Sequence, residues 1–380
     1  MLVSSRPRLG LILFLGILGT FLMNAGQGFG LTSELKGQLS GFTSETRNQG
    51  TWQNTTGLRY IPQLTLTHPL SGSSFLGTEI SLNSLLRYDS LESEGDLNVN
   101  LYRLKLRLAT AQTETRIGLQ KINFGPAYLL RPLQWFDRVV PSDPLGLTKG
   151  IYGLRFKYSA LNNASYWLWG LVGNDEPKGL ESLASVSDVP EYGGRLEYPI
   201  PSGELAVTFH RRRVNGDAIQ LPDFTENRYA LDGRLDVGVG LWLESVAIQQ
   251  KSNLLPFEWT KMLTLGLDYT FDVGHGLYFL IEHLTTVSST SLFKWDEDSQ
   301  TTAFSLSYPI GLLDTLSLIG YYSWDFDKHF LNLIWRRTYD SLVFNVTLFH
   351  SPQALANAPA FETNSFSAGY GARIMIIYNH

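Results

Sequence analysis

The side chains best placed to do chemistry are charges set at every second position of short segments. Arg103, Lys105 and Arg107 alternate with Leu104, Leu106 and Leu108. Positions two apart on a strand share a face, so such a segment is charged on one side and hydrocarbon on the other. The basic set is Arg87, Arg103, Lys105, Arg107, Arg116, Arg155, Lys157, Arg195 and Arg212, all from earlier segments. The acidic set is Asp232, Asp236, Glu244, Asp268 and Glu282, from later ones. Glu79, Glu197 and Glu204 sit among the bases, and Arg234 sits among the acids. A charge facing lipid near a bilayer midplane costs about 2–4 kcal/mol, so these faces must meet water. One wall of a lumen would then be net basic and another net acidic. Such a transverse field selects polar solutes and mildly favours anions beside the basic wall. Cross-strand ion pairs that only hydrate and order the wall fit the same spacing.

A second candidate is the connection Asn123 to Lys149. It carries Tyr128, Arg131, Trp135, Phe136, Asp137, Arg138, Asp143 and Lys149, with prolines at 126, 132, 141 and 144. Prolines narrow the unfolded ensemble of a loop and favour one shape. Leu129, Leu130, Leu133, Val139 and Val140 need something to pack against. The expectation is that this loop folds inward and forms a constriction. Arg131, Asp137 and Arg138 would face the pathway, and Trp135 with Phe136 would offer a stacking platform for a sugar or an aromatic solute. A loop that caps the rim is the alternative. Enzyme signatures are missing: no His-Glu-x-x-His, no Gly-x-Ser-x-Gly, no phosphate loop and no dinucleotide fingerprint. The seven histidines are scattered, so no metal or other cofactor is expected. A hydrolase using His283 or His329 with a nearby serine is the enzymatic alternative. The net charge of −5 gives no case for nucleic acid.

The elements that must position these residues are strands. Arg6 and Arg8 precede the apolar run Leu9 to Met23, and Ala25, Gly26, Gly28 and Gly30 follow. That is an export signal over residues 1–30, removed to leave a mature chain 31–380. The chain has no cysteine, so it has neither disulfides nor a lipid-attachment cysteine. Aromatics are 13% of residues and charged residues only 17%, which suits a membrane barrel. The mature region divides into about eighteen alternating segments of membrane-strand length. Tight connections such as Pro199 to Gly203 alternate with longer polar ones: Glu45 to Thr56, Asp89 to Asp96, Asn123 to Lys149, Asn174 to Pro190, Asn215 to Asn227, Ser288 to Gln300 and Ser351 to Thr363. Asp325 to Lys328 is short, an exception.

His68-Pro69, Tyr198-Pro199 and Tyr308-Pro309 end strands with a ring and then a proline, as an interfacial girdle would. The last segment places Phe366, Ala368, Tyr370, Ala372, Ile374, Ile376 and Tyr378 on one parity. It fits a closing strand that pairs with the first, and it resembles the signal read by the barrel-assembly machinery, although Asn379-His380 follow the final ring.

Arg116-x-Gly118-x-Gln120-x-Ile122-x-Phe124-Gly125, the proline-rich loop with Asp143-Pro144, and the charged strand after it together resemble porin-like outer-membrane families. The pattern is similar to selective porins and to alginate-export-like barrels. The run Gly193 to Glu204 resembles a further set within that group whose activity is unassigned. The resemblance implies architecture more than solute, and it assigns no functional residue. The resulting expectation is a transmembrane antiparallel up-and-down β-barrel in a Gram-negative outer membrane, in contact with its lipid. It would be a channel for small polar solutes, not an enzyme, with its oligomeric state open. The alternatives are an export barrel for an anionic polysaccharide and a plugged structural or adhesive barrel.

Overall fold

Alternation between side chains facing acyl chains and side chains facing inward builds every element of this chain. The computed structural model describes residues 30–48, 50–90, 95–351 and 369–380. The export signal therefore lies outside the described residues, as do Phe366, Ala368 and almost all of the last long connection. The strands are β1 (Thr32–Asn48), β2 (Thr51–Pro69), β3 (Phe75–Asp89), β4 (Gly95–Ala109), β5 (Thr113–Gln120) and β6 (Ile151–Ser159). Next come β7 (Ser165–Leu171), β8 (Glu191–Ile200), β9 (Gly203–Val214), β10 (Phe224–Asp236), β11 (Gly240–Lys251) and β12 (Trp259–Phe271). The last six are β13 (Leu277–Ser289), β14 (Glu297–Pro309), β15 (Asp314–Ser323), β16 (Lys328–Thr338), β17 (Leu342–Ser351) and β18 (Gly369–Asn379). Each pairs antiparallel with its sequence neighbours, and β1 pairs with β18 from Gln38↔Asn379 to Arg47↔Tyr370. The sheet is thus a closed 18-stranded barrel with no free edge. Closure is the only way a sheet can satisfy its backbone inside a bilayer.

The outer face is hydrocarbon. Leu104, Leu106 and Leu108 of β4, Leu154 of β6, Leu168 of β7, Leu231 of β10, Leu263 and Leu265 of β12, and Ile374 and Ile376 of β18 are all exposed. Tyr158, Tyr198, Tyr269 and Tyr378 are exposed on this face near the rim of the chain termini. Their rings suit a lipid–water boundary, as the girdle expectation required. The opposite parity carries the charges and turns inward.

Two features depart from the expected segmentation. The region Glu45 to Thr56 is not a loop, because β1 and β2 continue through it to the pair Asn48↔Thr51. Its outward Glu45 and Arg47 are polar like the inward Thr46 between them, so no alternation of hydropathy marks the strand. Gly50, at φ +88°, makes the tight turn. In β4 the pair Ser81↔Arg103 is followed by Leu82↔Leu101, so Tyr102 is an extra residue. This bulge moves the outward leucines from odd to even numbers, after Leu97 and Leu101 and before Leu104. It keeps Asn100 and Arg103 on the same inner face.

Leu265, midway along β12 and facing out, should tolerate no charge. Leu265→Arg is expected to lower the unfolding free energy in lipid vesicles by about 2–4 kcal/mol, measured by denaturant titration. An unchanged value would contradict the orientation of β12.

Candidate functional site

Residues 121–150 leave β5, cross the lumen and return to β6. At the neck, Asp137 accepts hydrogen bonds from the Ile122 amide at 2.7 Å and the Gly150 amide at 3.0 Å. Burial pushes its pKa above the ordinary carboxylate value, opposed by the Arg103 charge and these two amides. Farther along, the main chain lies on two inward glutamates. Glu244 of β11 accepts from the amides of Ala127 at 2.9 Å and Leu133 at 3.0 Å. Glu282 of β13 accepts from Tyr128 at 2.7 Å, Leu129 at 2.9 Å, Leu130 at 2.6 Å and the Trp242 indole at 2.9 Å. Between them, the Thr264 hydroxyl donates to the Leu130 carbonyl at 2.9 Å.

In an 18-strand circle, β13 is eight strands from β5, nearly diametrically opposite. A hydrogen bond to such a carboxyl group is worth about 0.5–1.5 kcal/mol net, and a loop amide left bare in the interior would cost about 1–3 kcal/mol. Gly125 permits this approach. It sits at φ +92°, and a Cβ there would run into the Glu244 carboxylate.

Hydrocarbon completes the docking. Ile122, Phe124, Leu133, Trp135 and Phe136 pack with Trp167, Trp169, Leu171 and Val246. Ala127, Leu129 and Leu130 pack with Trp242, Leu280, Leu284 and Ile334. A dry core therefore fills the side of the lumen from β7 to β16.

A second segment, 172–190, joins it, which the sequence did not suggest. The Leu180 amide donates to the Gln134 carbonyl at 3.1 Å, and Ser185 forms a bridge to Val214. Lys178 pairs with Glu191 at 2.9 Å and Glu181 at 3.1 Å. Glu181 also meets Arg212 at 3.0 Å and Arg228 at 2.8 Å. Glu226 holds the same two arginines at 2.7 and 2.6 Å. His210 is wholly buried, accepting from the Trp169 indole at 3.1 Å through Nδ1 and facing Glu191 at 3.1 Å through Nε2.

The expected pair of opposed charged walls is redrawn by this geometry, because most of the charges are matched locally. Lys105 pairs with Glu79 at 2.7 Å, and Arg87 with Asp89 at 3.2 Å. Arg107, Arg116 and Arg155 converge on Glu114. Arg195 grips Asp232 with two bonds of 2.6 and 2.7 Å, joining a basic member directly to an acidic one. Arg234 holds both Asp236 and Asp268 at 3.1 Å. Lys157 lies over Trp167 at 4.6 Å. Arg103 donates to the Thr148 hydroxyl at 2.7 Å and to the carbonyls of Thr148 and Lys149 at 3.2 Å. Glu244 and Glu282 are taken by the loop.

A second correction concerns the loop itself. Arg131, Trp135, Phe136 and Asp137 are buried and do not face a pathway. Their side chains belong to the docking core, so Trp135 and Phe136 present no free stacking face. Arg138 is half-buried. Residues 138–141 and 143–147 form the longest partly exposed stretch of the loop, and Tyr128 is exposed on its own farther back. There Arg373 of β18 donates to the Ser142 carbonyl at 3.4 Å, and Asp143 lies within electrostatic reach of Arg373 and of Arg59 on β2. Of the candidate hydrolase histidines, His283 faces outward and meets the Thr302 hydroxyl at 2.9 Å, and His329 packs against the ring of His350 at 5.0 Å. The organising residues that sequence reasoning missed are Glu114, Glu181, Glu226 and Arg228. Glu226 and Arg228 share a parity at a spacing of two, which was the available signal.

Removing the acceptor for the loop amides should loosen them. In Glu282→Ala, the amides of Tyr128, Leu129 and Leu130 are expected to exchange with deuterium about 10–100-fold faster than in the parent, as the loss of their buried acceptor implies. Unchanged protection would show that hydrocarbon packing alone holds the segment.

No protein-family model matches this sequence, and no curated protein matches it either. Solved structures do. OccAB4 of Acinetobacter baumannii is 12% identical, with a TM-score of 0.58 over 92% of this chain and 98% of that one. OccK5 of Pseudomonas aeruginosa is 12% identical, with a TM-score of 0.57 over 93% and 99%. The anion-selective porin from Comamonas acidovorans is 11% identical, with a TM-score of 0.52 over 92% and 100%. At these identities the likeness is one of fold, and that fold, shared over nearly the whole of each chain, is the outer-membrane barrel of the porin type.

Proposed function

We propose that this protein is a diffusion channel for small hydrophilic solutes in a Gram-negative outer membrane, and not an enzyme. The observation that carries this reading is the traverse of residues 127–133 onto Glu244 and Glu282, inside a barrel with a hydrocarbon exterior. An 18-stranded barrel encloses more space than its own wall side chains fill. A docked loop reduces that space to a size cutoff while leaving a wetted path. The path runs between the partly exposed stretch of the loop, 138–147, and the inner face of β16, β17, β18, β1, β2 and β3. That arc carries Asn332, Asn345, Ser40 and Asn83 together with Arg59 and Arg373. Ser40 Oγ, Asn83 Oδ1, Asn332 Oδ1 and Asn345 Nδ2 are buried and have no protein hydrogen-bond partner. Buried polar atoms of this kind are ordinarily met by ordered water, which suits a wall beside a wetted path.

Within this reading, Arg59, Arg373 and Arg138 set a mild preference for anions at the narrowest point. Residues 1–30 direct export and are removed, and β18 is the strand that engages the assembly machinery.

Two measurements in planar bilayers test the channel. Deleting Leu129 to Val140 is expected to raise single-channel conductance, because the loop would no longer occupy the lumen. An unchanged conductance refutes the constriction. Arg59→Glu combined with Arg373→Glu is expected to shift the reversal potential in a salt gradient towards cation preference. No shift would remove these two arginines from the pathway.

A further inference from the structure

The outer face of the barrel is hydrocarbon over most of its height, and on four adjacent strands it gives way to cations at the rim of the long connections. On β9, Leu205, Val207 and Phe209 are followed on the same parity by Arg211 and Arg213, both exposed. On β11 the outward parity ends at Lys251, which is also exposed, and on β12 it begins with Trp259 and Lys261. Register brings these residues together. Arg213 is opposite Thr225 of β10, and Thr225 is opposite Lys251. Arg211 is opposite Asn227, Asn227 opposite Gln249, and Gln249 opposite Trp259. Neighbouring strands lie about 4.8 Å apart, so Arg213 and Lys251 flank a gap of about 10 Å floored by a neutral hydroxyl.

Among the described residues, no carboxylate lies within ion-pair distance of Arg211, Arg213 or Lys251. Lys261 is held by the Leu292 carbonyl at 3.1 Å and by the Lys294 carbonyl. Two acids lie beside the patch: Glu258, which accepts from Gln249 at 2.6 Å, and Asp296, within electrostatic reach of Lys261. With four cations and these two anions, the patch stays net positive.

We propose that this patch binds the phosphorylated headgroup of an anionic glycolipid in the leaflet that meets the long connections. Its position identifies the partner. Immediately below the cations, on the same outward parity, lie Tyr229, Leu231, Leu263 and Leu265, all exposed to acyl chains. An anion neutralising Arg211, Arg213 and Lys251 must therefore sit at the lipid boundary, where a headgroup phosphate already is. Arginine offers a planar fork of donors to phosphate, and Trp259 favours the same interfacial depth. The inference rests on the barrel lying in an outer membrane, and it is independent of what the lumen conducts.

The test uses the full-length mature protein in detergent, with diphosphorylated lipid A as the probe, its dephosphorylated form as the control, and native mass spectrometry as the readout. The parent should retain lipid A at least about tenfold more tightly than the control, a modest difference for several charge-assisted contacts. The triple variant Arg211→Gln, Arg213→Gln, Lys251→Gln should lose that preference while keeping the parent's single-channel conductance. Arg211→Lys with Arg213→Lys should keep most of it. Equal retention of both lipids by the parent, or full retention by the triple variant, overturns the proposal. Displacement of lipid A by millimolar inorganic phosphate also overturns it, because the ligand would then be the free anion. Absence of conductance in a parent that still prefers lipid A would sink the channel reading alone.

Discussion

A strand that crosses a bilayer must find every backbone hydrogen bond within the protein, and the rest of this structure depends on that demand. Pairing of β1 with β18 meets it for the whole sheet. Once the sheet is closed, the alternation of side chains has two consequences. Hydrocarbon such as Leu104, Leu265 and Ile374 is sent outward, and charge such as Lys105, Glu244 and Arg373 inward. The same demand then reappears inside. Residues 121–150 are too long and too apolar to hang in water, and most of their amides cannot pair with a sheet. The amides of Ala127, Tyr128, Leu129, Leu130 and Leu133 are satisfied by two carboxyl groups on the far wall, and others by Asp137, Gln134 and Asp143 within the segment itself.

Those carboxylates explain why the interior is asymmetric. Glu244 and Glu282 bring the loop against β11 to β13, and Trp135, Phe136 and Leu130 fill what lies behind it. Residues 172–190 extend the filling through the ion cluster of Lys178, Glu181, Glu191, Arg212, Glu226 and Arg228. Each charge in that cluster has at least one opposite partner, as burial of charge requires. The result is a dry half and a polar half, with Arg59, Arg373 and the arc from β16 to β3 facing the loop's partly exposed stretch.

The architecture was legible because alternation is a local property. Nearly every strand could be read from hydropathy at a period of two, and the rhythm of short and long connections followed. It failed where strands rise above the lipid, as in β1 and β2 beyond Thr43, because both faces there meet water and no alternation is imposed. The charged residues were also legible as inward-facing. Their partners were not, because pairing depends on register and on segments that return from far away in sequence. Glu282 looked like part of an acidic wall, and nothing near it in the chain shows that it accepts the amides of residues 128–130. Trp135 and Phe136 looked like a platform for a solute, but two aromatic side chains in a loop suit a buried core equally well. Only the surrounding Trp169 and His210, which meet these rings, settle that choice.

The central claim is that the chain between β5 and β6 spans the lumen and rests on the opposite wall. Tyr128 is 52% exposed, and its ring centre lies 5.7 Å from that of Trp242 on β11. Replacing Tyr128 with a benzophenone-bearing amino acid, irradiating the membrane-inserted protein and mapping the adduct by mass spectrometry reads this contact directly. The account predicts a crosslink to the β11 peptide containing Trp242. Adducts confined to the neighbouring long connections, or no intramolecular adduct, would place the segment over the rim and contradict it.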